Sequence, residues 1–74
     1  MIKEKKALQK AVGKRIKELR EEKKMAQQTL AAACNFEKSN MARLEAGNTN
    51  PTIWTWSKIA DSLSVTLKEL VDFE

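Results

Sequence analysis

The sequence predicts an all-α domain of five short helices. Three observations carry this. Apolar residues recur at helical spacing almost throughout the chain. The gaps between the periodic runs are short and hold helix punctuation such as Gly47, Pro51 and the Thr66–Glu69 pair. No stretch reads convincingly as a strand. At 74 residues the chain is one small domain, residues 1–74. A core of that size is modest, so its helices must pack well.

Helix 1 is expected over 4–23, with Leu8, Val12, Ile16 and Leu19 as one apolar stripe. Helix 2 is expected over 27–34, marked by Leu30, Ala31 and Cys34. Helix 3 follows over 37–46, with Phe36 at its approach and Met41 and Leu44 on its inner face. Gly47 supplies the left-handed residue that commonly ends a helix. Pro51 cannot continue a helix but can begin one. Ile53, Trp56, Ala60 and Leu63 then form the stripe of helix 4, over 52–63. Thr66 and Glu69 have capping-box spacing and open helix 5, over 66–73, whose apolar face is Leu67, Leu70 and Val71. The Cys34-Asn35-Phe36 link between helices 2 and 3 is short, and Asn tolerates the left-handed conformation, which suits a helix-turn-helix at 27–46.

Charge is uneven along the chain. Fourteen basic side chains face ten acidic ones, a formal +4. Residues 1–24 balance at +6, residues 25–50 at zero, and residues 51–74 at −2. A positive field at one end suits an anionic partner, although a lysine-rich face is also ordinary solvated surface. Cys34 is the only cysteine, so no internal disulfide forms and a reducing, cytoplasmic setting is expected. No apolar run reaches the roughly 18 residues of a membrane span. The start, MIKEKK, lacks the apolar core of a secretory signal. There is no histidine, no glycine-rich phosphate loop and no metal-ligand cluster, so neither an enzyme nor a cofactor is expected.

On a helical wheel, Glu37, Met41, Leu44 and Glu45 share one arc of about 100°, which faces inward because it holds the apolar residues. The opposite arc centres on Ser39 and Arg43. Ala42 and Ala46 flank it with little bulk, and Lys38 and Asn40 sit at its edges. A narrow convex face of this kind fits a DNA major groove about 12 Å wide, where arginine and lysine suit guanine edges. At the start of helix 2, Gln27 and Gln28 lie beside unpaired backbone N–H groups that favour an anion such as phosphate. Glu45, at the edge of the inward arc, needs a partner; Arg20, at the edge of helix 1's stripe, is the candidate.

These residues together resemble the lambda-repressor/Cro helix-turn-helix family of bacterial and phage transcription regulators. The resemblance lies in Gly13-Lys14-Arg15-Ile16, Leu19-Arg20, Gln27, Leu30-Ala31, Arg43-Leu44-Glu45 with Gly47, Pro51, Ile59-Ala60, Leu63 and Val65, and it covers residues 10–73. It implies five helices, with helix 3 as the recognition helix. It implies base contacts from Lys38, Ser39 and Arg43. It implies phosphate contacts from Gln27, Asn40 and the loop holding Asn48 and Asn50, and an Arg20–Glu45 ion pair. The chain departs from the family's pattern at Lys24 and Asn35, where glycine is usual, and at Ala26 and Glu37, where a capping residue is usual. Glu37 could cap helix 3, accept from a cytosine amine, or weaken binding.

Trp54 lies about 160° from the centre of helix 4's stripe on the same wheel, and an isolated exposed tryptophan often marks an interface. With Phe73 it is expected at a two-fold homodimer contact formed by helices 4 and 5, over 52–73. The alternative is that Trp54 folds over Phe73 or helix 1 of its own chain. The expected function is a dimeric repressor of double-stranded DNA at a near-palindromic operator. The competing expectation is an antitoxin-like module that binds a partner protein as well as DNA.

Overall fold

The computed structural model describes residues 3–72. It holds five helices: α1 (Lys5–Glu22), α2 (Gln27–Ala33), α3 (Lys38–Glu45), α4 (Ile53–Ser62) and α5 (Leu67–Leu70). No strand occurs among the described residues. Ile16, Leu30, Met41, Ile59, Leu63 and Leu70 form the fully buried centre, so every helix contributes. Cys34 is buried with them, its Sγ 3.4 Å from Ser62 Oγ, as a small core group.

Four helices end in the same way. Lys24, Asn35, Gly47 and Ser64 each take positive φ, at 55°, 60°, 79° and 57°. In each case the next N–H reaches back to the last turn: Met25 to Arg20 O, Phe36 to Ala31 O, Asn48 to Arg43 O and Val65 to Ala60 O. This six-residue closure satisfies carbonyls that the helix end leaves open. Met25, Phe36 and Val65 then tuck against the core, which ties each turn to the hydrophobic centre. Only one of the four turns uses glycine. A left-handed residue with a Cβ costs about 1–2 kcal/mol, less for Asn, so three turns are held by packing against local preference.

Helix starts are also unequal. Thr52 Oγ1 accepts from Thr55 N at 3.3 Å, and Thr66 and Glu69 form a full capping box. Pro51 therefore precedes the cap of α4 and does not open the helix itself. Ala26 and Glu37 cap α2 and α3 with no side-chain bond, so Glu37 does not cap through its carboxylate.

α1 meets the end of α3 at Gly13. A Cβ there would lie 2.6 Å from both Leu44 O and Glu45 O, so only glycine allows this approach. Gly47 makes the reciprocal contact against the backbone of Lys10.

Several expected core positions lie elsewhere. Leu8, Ile53 and Val71 are 44%, 70% and 46% exposed. Each sits near a helix end, where the wheel still assigns a face but the neighbours cover it only in part. Ile59, outside the expected stripe of α4, is fully buried instead. Glu37 is exposed at the cap and has no place on α3's inner face. α5 is shorter than the expected 66–73, closing at Leu70.

Candidate nucleic-acid interface

α3 presents two faces of opposite character. Its inner face is closed by a polar network. Arg20 Nε donates to Glu45 Oε2 at 2.7 Å and Nη2 donates to Oε1 at 3.1 Å, a two-pronged pair in which both residues are only 8% exposed. Arg20 Nη1 also donates to Met25 O at 2.7 Å, in the turn after α1. The hydrogen bond to Glu45 raises the arginine's pKa against the opposing effect of burial, so the guanidinium stays charged.

Gln27 joins this network, its Nε2 donating to Glu45 Oε1 at 3.0 Å. A carboxylate can only accept, so the amide nitrogen must turn inward and keeps one N–H to offer. Gln28, next along α2, is exposed. The two glutamines, Lys38, Ala42 and Glu45 line one open cleft of about 490 Å³ between α2 and α3. Lys17 of α1 lines the same cleft. The sequence reading missed Lys17; its signal was its position four residues after Gly13, on the face of α1 that meets α3.

On the outer face, Lys38, Ser39, Asn40, Ala42, Arg43 and Ala46 are all exposed. Arg43 Nη2 donates to Asn40 Oδ1 at 2.7 Å, one turn back along the helix. Asn40 therefore spends its acceptor on Arg43 and keeps its amide N–H groups. Arg43 keeps most of its five donors.

The loop after α3 divides. Asn48 is exposed, and its Oδ1 accepts from Lys6 Nζ at 2.8 Å. Asn50 borders a different hollow, about 280 Å³, with Leu8, Ile53, Trp56 and Val71. Arg15, one of the basic residues of α1, turns towards α5: its Nε donates to Glu69 O at 3.0 Å.

Trp54 is 71% exposed and borders a shallow groove of about 330 Å³ between α4 and α5, with Lys58, Asp61, Val65 and Leu67. Phe73 lies outside the described residues. Among those residues no group of three or more acidic, cysteine or histidine side chains is placed to hold a metal. No helix there is long and apolar enough to cross a membrane.

Known proteins resemble this chain in sequence and in fold. The chain is 35% identical over 63 residues to the immunity repressor protein of Bacillus phage phi105, a match covering 85% of this chain and 44% of that protein. The chain thus spans less than half of that repressor's length. It is 36% identical over 64 residues to an HTH-type transcriptional regulator of Sinorhizobium fredii, covering 86% of this chain and 83% of the other. Among solved structures, the restriction-modification controller protein C.AhdI from Aeromonas hydrophila superposes with a TM-score of 0.83 at 31% identity, covering 86% of this chain and 97% of that one. The sequence model of the Cro/C1-type helix-turn-helix DNA-binding domain matches residues 15–74, and the chain belongs to that family.

Proposed function

We propose that this protein is a sequence-specific regulator of transcription that binds double-stranded DNA and acts as a dimeric repressor at a near-palindromic operator. The observation that carries the reading is α3's outer face: six outward or edge positions are exposed, and each is small, polar or basic. With its side chains an α-helix is roughly 10–12 Å across, which a major groove about 12 Å wide admits. Arg43, Lys38 and Ser39 read base edges. Gln27, Gln28, Asn40, Asn48 and Asn50 contact phosphates and fix the helix's register without carrying sequence information.

Repressor action is supported by the phage immunity repressor, and a regulator's role by the controller protein C.AhdI. Dimer formation is supported by Ile53 and Trp54, adjacent and each about 70% exposed at the start of α4. Large apolar side chains in that state commonly mark a partner surface. Two copies would set two recognition helices about 34 Å apart, one per successive major groove. Trp54→Ala should shift sedimentation towards monomer at micromolar concentration, and an unchanged profile would count against this interface. If Trp54 and its groove took an antitoxin-like protein partner instead, a second polypeptide would co-purify in stoichiometric amount. The cytoplasm, where DNA is accessible, is the compartment this function requires.

The test is selection of bound duplexes from a random pool at two salt concentrations. One enriched near-palindromic motif at both is expected. A pool that stays random would overturn the reading.

A further inference from the structure

The whole formal excess of +4 resides in residues 1–14, because residues 15–74 carry nine basic and nine acidic side chains. Those first fourteen residues are also the part that the family's sequence model leaves unmatched. Their lysines are not scattered. Lys6, Lys10, Gly13 and Lys17 share one face of α1, at helical spacing of four, three and four. That face is the one pressed to α3. Gly47 fits so closely that a Cβ on it would lie 2.6 Å from Lys10 Cα and 2.7 Å from Lys10 Cγ. Lys6 Nζ lies 2.8 Å from Asn48 Oδ1. Both lysines are exposed. The basic stripe of α1 therefore begins where α3 ends.

The major groove is only about as wide as one helix with its side chains, so an element held against the end of α3 lies over the groove's sugar-phosphate wall. We propose that Lys6 and Lys10 extend the phosphate contact assigned above to Asn48, and that they take phosphodiesters flanking the groove occupied by α3. This rests on the DNA-binding reading above. Lys6 keeps two ammonium N–H groups after bonding Asn48, and Asn48 keeps its amide N–H groups. The site holds donors and no acid among these three side chains. It adds affinity without sequence preference. The competing role is internal: lysines beside the last turn of α3 also neutralise that end of its helix dipole.

The experiment is a titration of the full chain and of the Lys6→Gln/Lys10→Gln variant against two duplexes, one selected and one of mixed sequence, at 50 to 200 mM KCl. Each phosphate left without its lysine makes the slope of log K against log[salt] shallower by about 0.9, so the variant's slope should fall by roughly 1.8 on both duplexes. The ratio of the two affinities should stay unchanged. Lys5→Gln, the loss of one charge on the side of α1 that borders the apolar hollow, should leave the slope near that of the unmodified chain and not shallower by about 0.9. A variant that lowers the melting temperature but keeps the full slope would assign the lysines to the helix dipole and overturn the proposal. If the unmodified chain binds neither duplex, the DNA-binding reading fails and this site with it. If it binds both and the double variant shares its slope, only this site fails.

Discussion

Arg20 and Arg43 both donate to a side-chain oxygen at 2.7 Å, yet they sit on opposite sides of α3 and cannot do the same work. Arg20 is buried, its fork closed on a carboxylate and its remaining arm on a backbone carbonyl. Arg43 is exposed and spends one bond on a neutral amide. Burial decides the difference. A charge removed from water must be matched group for group, which makes Arg20 a lock between α1, α2 and α3. A charge left in water keeps its donors for another molecule. One helix thus carries the fold on its inner face and leaves its outer face free for the recognition proposed above.

Breaking the inner face should give the largest effect. Glu45→Ala strands a buried guanidinium and leaves Gln27 without its acceptor, and a destabilisation of about 3–5 kcal/mol is expected in urea unfolding. Gly13→Ala attacks the same seam from the other side. Its new Cβ meets two backbone carbonyls at 2.6 Å, so α1 and α3 must separate. A loss of about 1–3 kcal/mol is expected by the same measurement. Glu37→Ser sharpens the comparison at the helix start. It supplies the cap that α3 lacks and should stabilise by about 1 kcal/mol.

The smallest effect concerns Glu69, an acid held by a cap and not by an arginine. Hydrogen bonds from the backbone and then the side chain of Thr66 lower its pKa below the ordinary carboxylate range. A lowered native pKa means that the stabilisation is present above the unfolded value and is lost as pH falls through the native one. Glu69→Gln should therefore flatten the acid end of a stability–pH curve by lowering stability slightly at neutral pH, and leave the most acidic region almost unchanged.

Much of this was legible in the sequence. The bounds of α1 to α4 fall within one residue of the expected ones, because the apolar period and its punctuation coincide. Departures from the usual glycines also pointed to real conformations: Lys24 and Asn35 both take positive φ. Ser64 takes it too, with no signal beyond its place after the last periodic residue. What stayed hidden depended on neighbours distant in sequence. A wheel gives Leu8, Ile53 and Val71 a face but not the knowledge that it is covered only in part. It gives Arg15 a charge but not the α5 carbonyl that captures it. Lys17 and Lys6 look like any solvated lysine until α3 and its loop are set beside α1.

The most direct test of the division between the two faces is Arg43→Ala, measured for duplex preference and for unfolding together. Loss of about 1–3 kcal/mol on the selected duplex is expected, with weaker loss on others and a relaxed choice at one or two base positions. Stability should stay within about 0.5 kcal/mol of the unmodified chain, as for an exposed residue. Equal loss on every duplex, or a large fall in stability with no change in base choice, would contradict a base-reading outer face.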